Sequence, residues 1–306
     1  MVPEAVRAAM PAARIRSAET IHAWRAGEPH RAMVEAFAAC PGDDPEPAAA
    51  AAEALFARPG WAAGLIAPLV AALTEDPLFE SPFRANREDG RITLTLFGCA
   101  AATIVARIVP PQAGGGAMPA TIITSGRMAV VHYVRADGAL RRWRVVPEAG
   151  CCVSLAPIGL GDGMTFRLDG RGIGHMVTGA SGPLVTLTAV LHAGAEPLAR
   201  EYHVADGTLL RAASADEGAS RCELLLAFLR AAGHIEAKPA FDAATRDPAF
   251  QLRWAAMREW LALDAASALP RLRAMAMEDP AAEVRIAAAT TLVRIAPRLA
   301  EVACLA

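Results

Sequence analysis

The spacing of apolar residues divides the chain into a helical beginning, a β-rich middle and a helical end. In residues 1–88 the apolar positions recur at helical spacing. From Arg91 to Leu96 they alternate strictly with polar ones, which is typical of a half-buried strand. About eight such short runs lie between residues 91 and 204, separated by turn pairs such as Asp137-Gly138.

This succession predicts an α+β protein with an antiparallel β-sandwich at its centre. Short strands that follow one another without intervening helices form sandwiches or barrels. We therefore predict an N-terminal helical segment over residues 1–88, a β-rich domain over 89–213 and a C-terminal helical domain over 214–306.

The alternation also assigns side chains to opposite faces of individual strands. His192 shares one face with Thr186 and Thr188, opposite the apolar residues of the same run from Val185 to Leu191, and we expect His192 on the outside. Arg142 and Arg144 share a face of another run. They indicate either a site for an anion or acidic partner, or a solvated edge strand that charge protects from further pairing. The edge strand is the preferred interpretation.

Two segments near the end of the chain repeat each other at an offset of 32 residues. They begin at Asp247 and Asp279 and align without gaps, and a fixed period of this size is the signature of stacked helices. In each copy the Asp can cap a helix and the following Pro fits its first turn. Arg253 and Arg285, six residues after each Asp, can reach back towards a neighbouring Asp.

The second of these segments resembles a HEAT repeat. The resemblance rests on Asp279-Pro280, on Val284 and Arg285, on the pair Ala287-Ala288, and on Pro270 in the preceding helix. It covers residues 214–303 as two helix pairs. It implies a surface of stacked helices that contacts a protein partner.

The strand number, strand length and glycine positions of residues 90–213 resemble the cupin jelly roll. Cupins hold a metal ion inside the barrel with two histidines one residue apart, a glutamate, and a histidine from a later strand. The later motif survives in outline at Gly170 and His175, but no second histidine follows His132. The resemblance also implies a homodimer formed through the sheets.

Four side chains are the candidate ligands of a non-haem metal centre: His132, His175, Glu201 and His203. Glu201 and His203 share a strand face, with Tyr202 on the other face towards the core. Together the four would hold one divalent ion of iron, manganese, nickel or zinc. The alternative is that the histidines are ordinary strand residues, hydrogen-bonded in or near the core, and that the glutamate is solvated.

Composition narrows the classes of function. A net charge of -2 over 306 residues gives no general attraction to nucleic acid or to an anionic membrane. No apolar stretch has the length of a membrane span, and the first ten residues lack the apolar run of a secretory signal, so we expect a cytoplasmic protein. The sequence also lacks a nucleophile elbow and a phosphate-loop motif.

Two functions of different class follow from these observations. The favoured one is a non-catalytic binding or regulatory protein, without a cofactor, that holds a small molecule in the jelly-roll cavity or a protein partner on the helical repeats. The alternative is a cupin-type metal-dependent enzyme, a dioxygenase or isomerase, that acts on a small polar substrate. Convergence of the four candidate ligands around a cavity distinguishes the two.

Overall fold

The computed structural model describes residues 4–111 and 118–305. The chain divides into two compact units, of which the first ends at Ala212 and the second begins at Ala213. The helices of the first 88 residues and the strands that follow them belong to the same unit. The structure is of mixed α+β class with antiparallel sheets, as the sequence predicts.

Four helices open the first unit: α1 (Glu4–Ala26), α2 (Glu28–Ala38), α3 (Pro45–Phe56) and α4 (Trp61–Glu75). Helix α3 begins where the side chain of Asp44 accepts a hydrogen bond from the backbone N–H of Glu46, with Pro45 in the first turn. In the described part of the chain, no single helix combines the length and the apolar composition of a membrane span. Helices α3 and α4 reach that composition only when taken together, across a bend of 68°.

Strands follow these helices. In chain order they are β1 (Arg84–Glu88), β2 (Arg91–Gly98), β3 (Ala102–Val109), β4 (Thr121–Thr124), β5 (Met128–Arg135), β6 (Ala139–Val146), β7 (Cys151–Ser154), β8 (Ile158–Gly159), β9 (Thr165–Asp169), β10 (Ile173–Thr178), β11 (Leu184–Leu191), β12 (Leu198–His203) and β13 (Leu209–Ser214). The largest sheet has the order β1-β2-β3-β11-β5-β9. A second sheet has the order β10-β6-β7, with β8 also paired to β6, and a third has the order β13-β12-β4.

One face of the six-stranded sheet packs against the four helices. Leu96, Ile104, Val130 and Leu187, from four different strands, are buried in one cluster with Phe37 and other helix residues. Removal of this apolar area from water stabilises the contact between helices and sheet by about 25 cal/mol for each Å².

The apolar face of β11 packs against the helices. Leu187 and Leu191 lie under them, whereas Thr186 is buried on the face turned towards the second sheet. His192 is half-buried, and its Nδ1 donates a hydrogen bond to the carbonyl of Ala100 at 3.1 Å. The reason is that the N-terminal helices offer the apolar surface that the leucines require.

The opposite face of the six-stranded sheet packs against the second sheet. Val131 and Tyr133 of β5, Leu168 of β9 and Leu140 of β6 form one buried cluster. The ring of Tyr133 meets that of Phe166 edge-on, with 5.9 Å between the ring centroids. The space between these two sheets is called the sandwich interior below.

A smaller cluster joins the second and third sheets. It consists of Ile122, Trp143, Cys152 and Tyr202, all buried. The hairpin between β12 and β13 seals its edge, because Gly207 accepts a hydrogen bond from the backbone N–H of Cys152 at 2.8 Å. Tyr202 is therefore in the core, as predicted from the alternation along β12.

The second unit consists of helices α5 (Glu217–Ala231), α6 (Lys238–Ala244), α7 (Phe250–Glu278) and α8 (Ala282–Leu305). Helix α7 bends at Asp264, whose backbone angles are non-helical (φ -156°, ψ 90°), and so it has two arms. Buried residues from all four helices, including Leu226, Phe241, Met257 and Val284, form one core.

The two sequence repeats make equivalent contacts at their helix starts. In the first, Arg253 donates through Nη1 to the carbonyls of Asp247 and Pro248, each at 3.0 Å. In the second, Arg285 donates through Nη1 to the carbonyls of Asp279 (2.6 Å) and Pro280 (3.2 Å). The remaining nitrogens of Arg253, Nε and Nη2, donate to the two carboxylate oxygens of Asp279 at 2.9 and 2.6 Å. The sequence repeat is therefore also a structural repeat.

We predict that Gly207→Ala destabilises the first unit by about 3 kcal/mol. Gly207 has a φ of +74°, and a Cβ there would overlap the carbonyl oxygen of Cys152. Urea unfolding followed by circular dichroism measures the loss. Gly161→Ala is the control, because its Cβ would meet nothing within 4 Å. Equal stability of the two variants would show that the approach of the hairpin to Cys152 is not tight.

We predict that Asp279→Asn lowers the free energy of unfolding of the second unit by about 3 kcal/mol, because it leaves a buried guanidinium without its carboxylate. The side chains of Arg253 and Asp279 are only 8% and 1% exposed. Glu259→Gln breaks the more exposed ion pair with Arg230 and is the control, with an expected loss below about 1 kcal/mol. Urea unfolding measures the loss of free energy in both variants. Similar losses would contradict a structural role for the contact between Arg253 and Asp279.

Candidate functional site

Basic side chains from both sheets enter the sandwich interior. On the six-stranded sheet, Arg107 of β3 pairs with Thr186 of β11, and Thr186 pairs with Tyr133 of β5. Directly paired residues lie on the same face of a sheet. Because Tyr133 is part of the buried cluster between the sheets, Arg107 also lies on the interior side.

The second sheet contributes His175 and Arg142, which pair with each other across β10 and β6. Leu140, two residues before Arg142, lies in the same buried cluster as Tyr133. Residues two apart on a strand share a face, so Arg142 and His175 also face the interior. Arg144 follows on this face and is exposed at the end of the strand.

The charges of Arg107 and Arg91 act on their neighbours in this group. Burial is the main reason that the pKa of His175 falls to about 4, and the positive charge of Arg107 lowers it further. Burial and the charge of Arg91 lower the pKa of Arg107. We call Arg91, Arg107, Arg142 and His175 the basic interior. At neutral pH its histidine is uncharged, because the pKa of His175 lies well below 7.

His175 is surrounded by protein and yet retains accessible surface. A side chain in the wall of a concavity has this combination of properties. Arg107 keeps more exposed surface and so lies at the open side. Arg91 is exposed as well, so the basic interior has one side open to solvent.

The arginines of the basic interior have no carboxylate partner among the described residues. None of Arg91, Arg107 and Arg142 takes part in an ion pair there, and Nε of Arg142 is buried without a hydrogen-bond acceptor. Two other arginines differ: on the helix side of the six-stranded sheet, Nε of Arg167 lies 2.6 Å from Glu53, and in the turn after β9, Nε of Arg171 lies 2.7 Å from Asp169. Nε of Arg142 is therefore a buried donor without an acceptor, whereas Arg91 and Arg107 are exposed.

The structure does not bring the four predicted metal ligands together. His132 lies on the helix side of the six-stranded sheet, since it pairs with Leu187. Its Nδ1 is 2.8 Å from Oγ1 of Thr165, and its ring lies 6.1 Å from that of Phe56. The whole thickness of the sheet therefore separates it from His175.

Glu201 and His203 lie on a third surface. They are on β12, on the face opposite the buried Tyr202. Hydrogen bonds from Thr121 and Arg211 hold the pKa of the Glu201 carboxyl below its usual range. Across the described residues, no group of three His, Cys, Asp or Glu side chains is arranged to hold a metal ion. These residues do not fit the metal centre that the cupin resemblance implies.

The interpretation of the arginine-rich strand β6 as a protected edge is wrong. Strand β6 pairs with β10 on one side and with β7 and β8 on the other, so it is an inner strand. Arg142 therefore faces the sandwich interior and does not protect an exposed strand edge from further pairing. Sequence reasoning missed Arg91 and Arg107 altogether. One signal was available in the sequence. Arg91 lies on the same strand face as Thr93 and Thr95, and the apolar residues between them lie on the opposite face.

Comparisons with known proteins give partial structural matches. No protein-family model matches the chain, and no curated protein matches it in sequence. The polyketide cyclase RemF from Streptomyces resistomycificus aligns at 16% identity over 36% of this chain and 75% of that chain, with a TM-score of 0.24. A sugar phosphate isomerase from a cupin superfamily of Silicibacter pomeroyi aligns at 14% identity over 40% and 77%, with a TM-score of 0.26. A cupin domain from Bordetella pertussis aligns at 14% identity over 35% and 99%, with a TM-score of 0.24. At these values the function has to be argued from the chain's own residues.

We predict that stability decreases as the pH falls from 6.5 towards 4, and that His175 causes part of this decrease. The pKa of His175 is about 4 in the folded chain and about 6.5 when unfolded, so only the unfolded chain takes up the proton in this window. The contribution is fully present above pH 6.5. Between pH 7.5 and pH 5 wild type should lose about 1–2 kcal/mol more than His175→Gln or His175→Asn in urea unfolding. Identical pH dependence in all three proteins would contradict the buried, neutral histidine.

Proposed function

We propose that the first unit is a non-catalytic binding module that holds a small anionic molecule in the basic interior. The observation that carries the proposal is the meeting of Arg107, Arg142 and His175 from two facing sheets without a carboxylate. A protein tolerates such a cluster when an anionic ligand completes it.

The chemistry of the donors defines the class of ligand. The guanidinium groups of Arg107 and Arg142 each present a planar set of N–H donors that matches a carboxylate or a phosphate group. A neutral His175 adds one donor and one acceptor. The ligand is therefore an organic acid or a phosphate ester with a neighbouring hydroxyl or carbonyl group.

The position of the site limits the size of the ligand. Sheets of a sandwich pack roughly 10 Å apart, so the interior admits a small molecule and excludes a folded protein or a nucleic-acid duplex. Thr186 and Tyr133, on the same face as Arg107, supply further polar and aromatic surface. The metal-dependent enzyme has less support, because its four candidate ligands lie on three separate faces.

We propose in addition that the first unit contains a cupin-like jelly roll and that the second contains a HEAT-like repeat. A cupin-like jelly roll is supported by the two facing antiparallel sheets. A short HEAT-like repeat in the second unit is supported by the equivalent contacts of Arg253 and Arg285. A binding module joined to a repeat unit suits a regulatory protein that reports a bound metabolite to a partner.

We predict that millimolar succinate, citrate or phosphate raises the melting temperature of the wild-type chain by about 5 °C, at constant ionic strength set with chloride. A ligand that binds only the folded state stabilises it, and at about 100 times its Kd the gain is about 2.7 kcal/mol. Differential scanning fluorimetry finds the best anion, and isothermal titration calorimetry gives its affinity.

Substitutions separate this site from general salt effects. Arg142→Gln and Arg107→Gln should abolish the shift. Arg87→Gln should keep it, because Arg87 pairs with Ile92 and so lies on the other face of the six-stranded sheet. The proposal would be overturned if the anion raised the melting temperature of Arg142→Gln as much as that of wild type. It would also be overturned if none of the anions raised the melting temperature of wild type above that of the variant.

A further inference from the structure

Helix α8 carries an uncovered face in its first half. Arg285, Ile286, Ala289 and Val293 lie on one side of the helix, because residues three, four and seven apart are neighbours on a helix surface. Ile286 is 67% exposed and Val293 is 78% exposed, and Ala289 is exposed as well. These four residues are called the open face.

The internal repeat shows what belongs on such a face. The equivalent residues in the first arm of α7, at the offset of 32, are Arg253, Trp254, Met257 and Leu261. Met257 is fully buried, and Trp254 and Leu261 pack against the core of the second unit. The helix that begins after Asp279 packs against α7, and the carboxylate of Asp279 accepts a hydrogen bond from the guanidinium of Arg253. Val284 and Ala288 of that helix are buried in the same cluster as Met257, so in the first repeat a helix preceded by an aspartate packs in the core with Met257.

Arg285 is already oriented for the same contact. Its Nη1 binds the carbonyls of Asp279 and Pro280, just as Nη1 of Arg253 binds those of Asp247 and Pro248. In Arg253 the other two nitrogens of the fork hold a carboxylate. In Arg285 those two nitrogens have no acceptor among the residues that the structure describes. The position of a carboxylate is thus defined, and two exposed apolar side chains lie next to it.

We propose that the open face of α8 binds a helix of a partner protein that begins with an acidic residue and turns small apolar side chains towards Ile286 and Val293. The carboxylate at the start of that helix accepts hydrogen bonds from Arg285, as the carboxylate of Asp279 does from Arg253. The proposal concerns the second unit and does not depend on the anion site of the first.

The size of the face favours a single helix over a second copy of the chain. A stable interface between two proteins buries roughly 800 Å² on each partner, far more than four side chains supply. One helix with one charge-assisted contact fits a face of this extent. Its affinity should be micromolar, as is common for helix-in-groove recognition by small surfaces.

The test uses a peptide whose sequence is that of residues 279–295, acetylated and amidated, with a fluorescent label. This peptide contains the surface that covers α7 within the chain itself. Fluorescence anisotropy against the full-length chain should give saturable binding. Arg285→Gln and Val293→Glu in the chain should each weaken it at least tenfold, and so should Asp279→Asn in the peptide.

Arg294→Gln is the matched control, because Arg294 is exposed on the same helix about two and a half turns after Arg285, and so on the opposite side. It should bind the peptide as wild type does. Val293→Glu changes a side chain that is already exposed and so keeps the fold, which circular dichroism verifies. Absence of binding, or equal weakening by Arg294→Gln and Arg285→Gln, would overturn the proposal. Concentration-dependent self-association of the chain that Val293→Glu abolishes would also overturn it, because a second copy would then cover the face.

Discussion

The structure depends on the covering of the six-stranded sheet on both of its faces. Four alanine-rich helices bury one face, and they attract the leucines and isoleucines of its strands. Because strand side chains alternate, the threonines and arginines between those residues must turn the other way, towards the second sheet. The basic side chains in part of the otherwise apolar sandwich interior are thus a consequence of the helices on the far side.

This constraint places positive charge where charge is unfavourable. Arg107 and Arg142 approach a buried His175 from opposite sheets, and the low pKa of His175 records both the loss of water and the nearby charge. In other places the chain pairs its arginines, as in the contacts of Arg167 with Glu53 and of Arg253 with Asp279. The contrast distinguishes the unpaired cluster from the structural ion pairs and supports the proposed anion site. An anion with two or more oxygen acceptors would relieve the repulsion and join the two sheets.

The sequence allowed the strands, the α+β class and the Asp-Arg repeat to be predicted, because period-two alternation, turn pairs and helix caps are local signals. The faces could not be predicted, since alternation shows which side chains lie together but not which neighbour they meet. That ambiguity led to the grouping of His132 with His175, which the sheet separates. Arg107 escaped notice because its importance comes from residues on strands distant in sequence. Arg253 and Arg285 were found because their partners lie within one repeat.

The most direct measurement of the central claim is the titration of the His175 imidazole by NMR, with and without the best-binding anion among succinate, citrate and phosphate. The account predicts that the imidazole is neutral at pH 7, with a pKa of about 4, in the free protein. It also predicts that the anion shifts the resonances of His175 and raises this pKa by offsetting the charge of Arg107. Both effects should be absent in the Arg142→Gln variant. A His175 that titrates at its ordinary value of about 6.5 and does not respond to any of these anions would contradict the account.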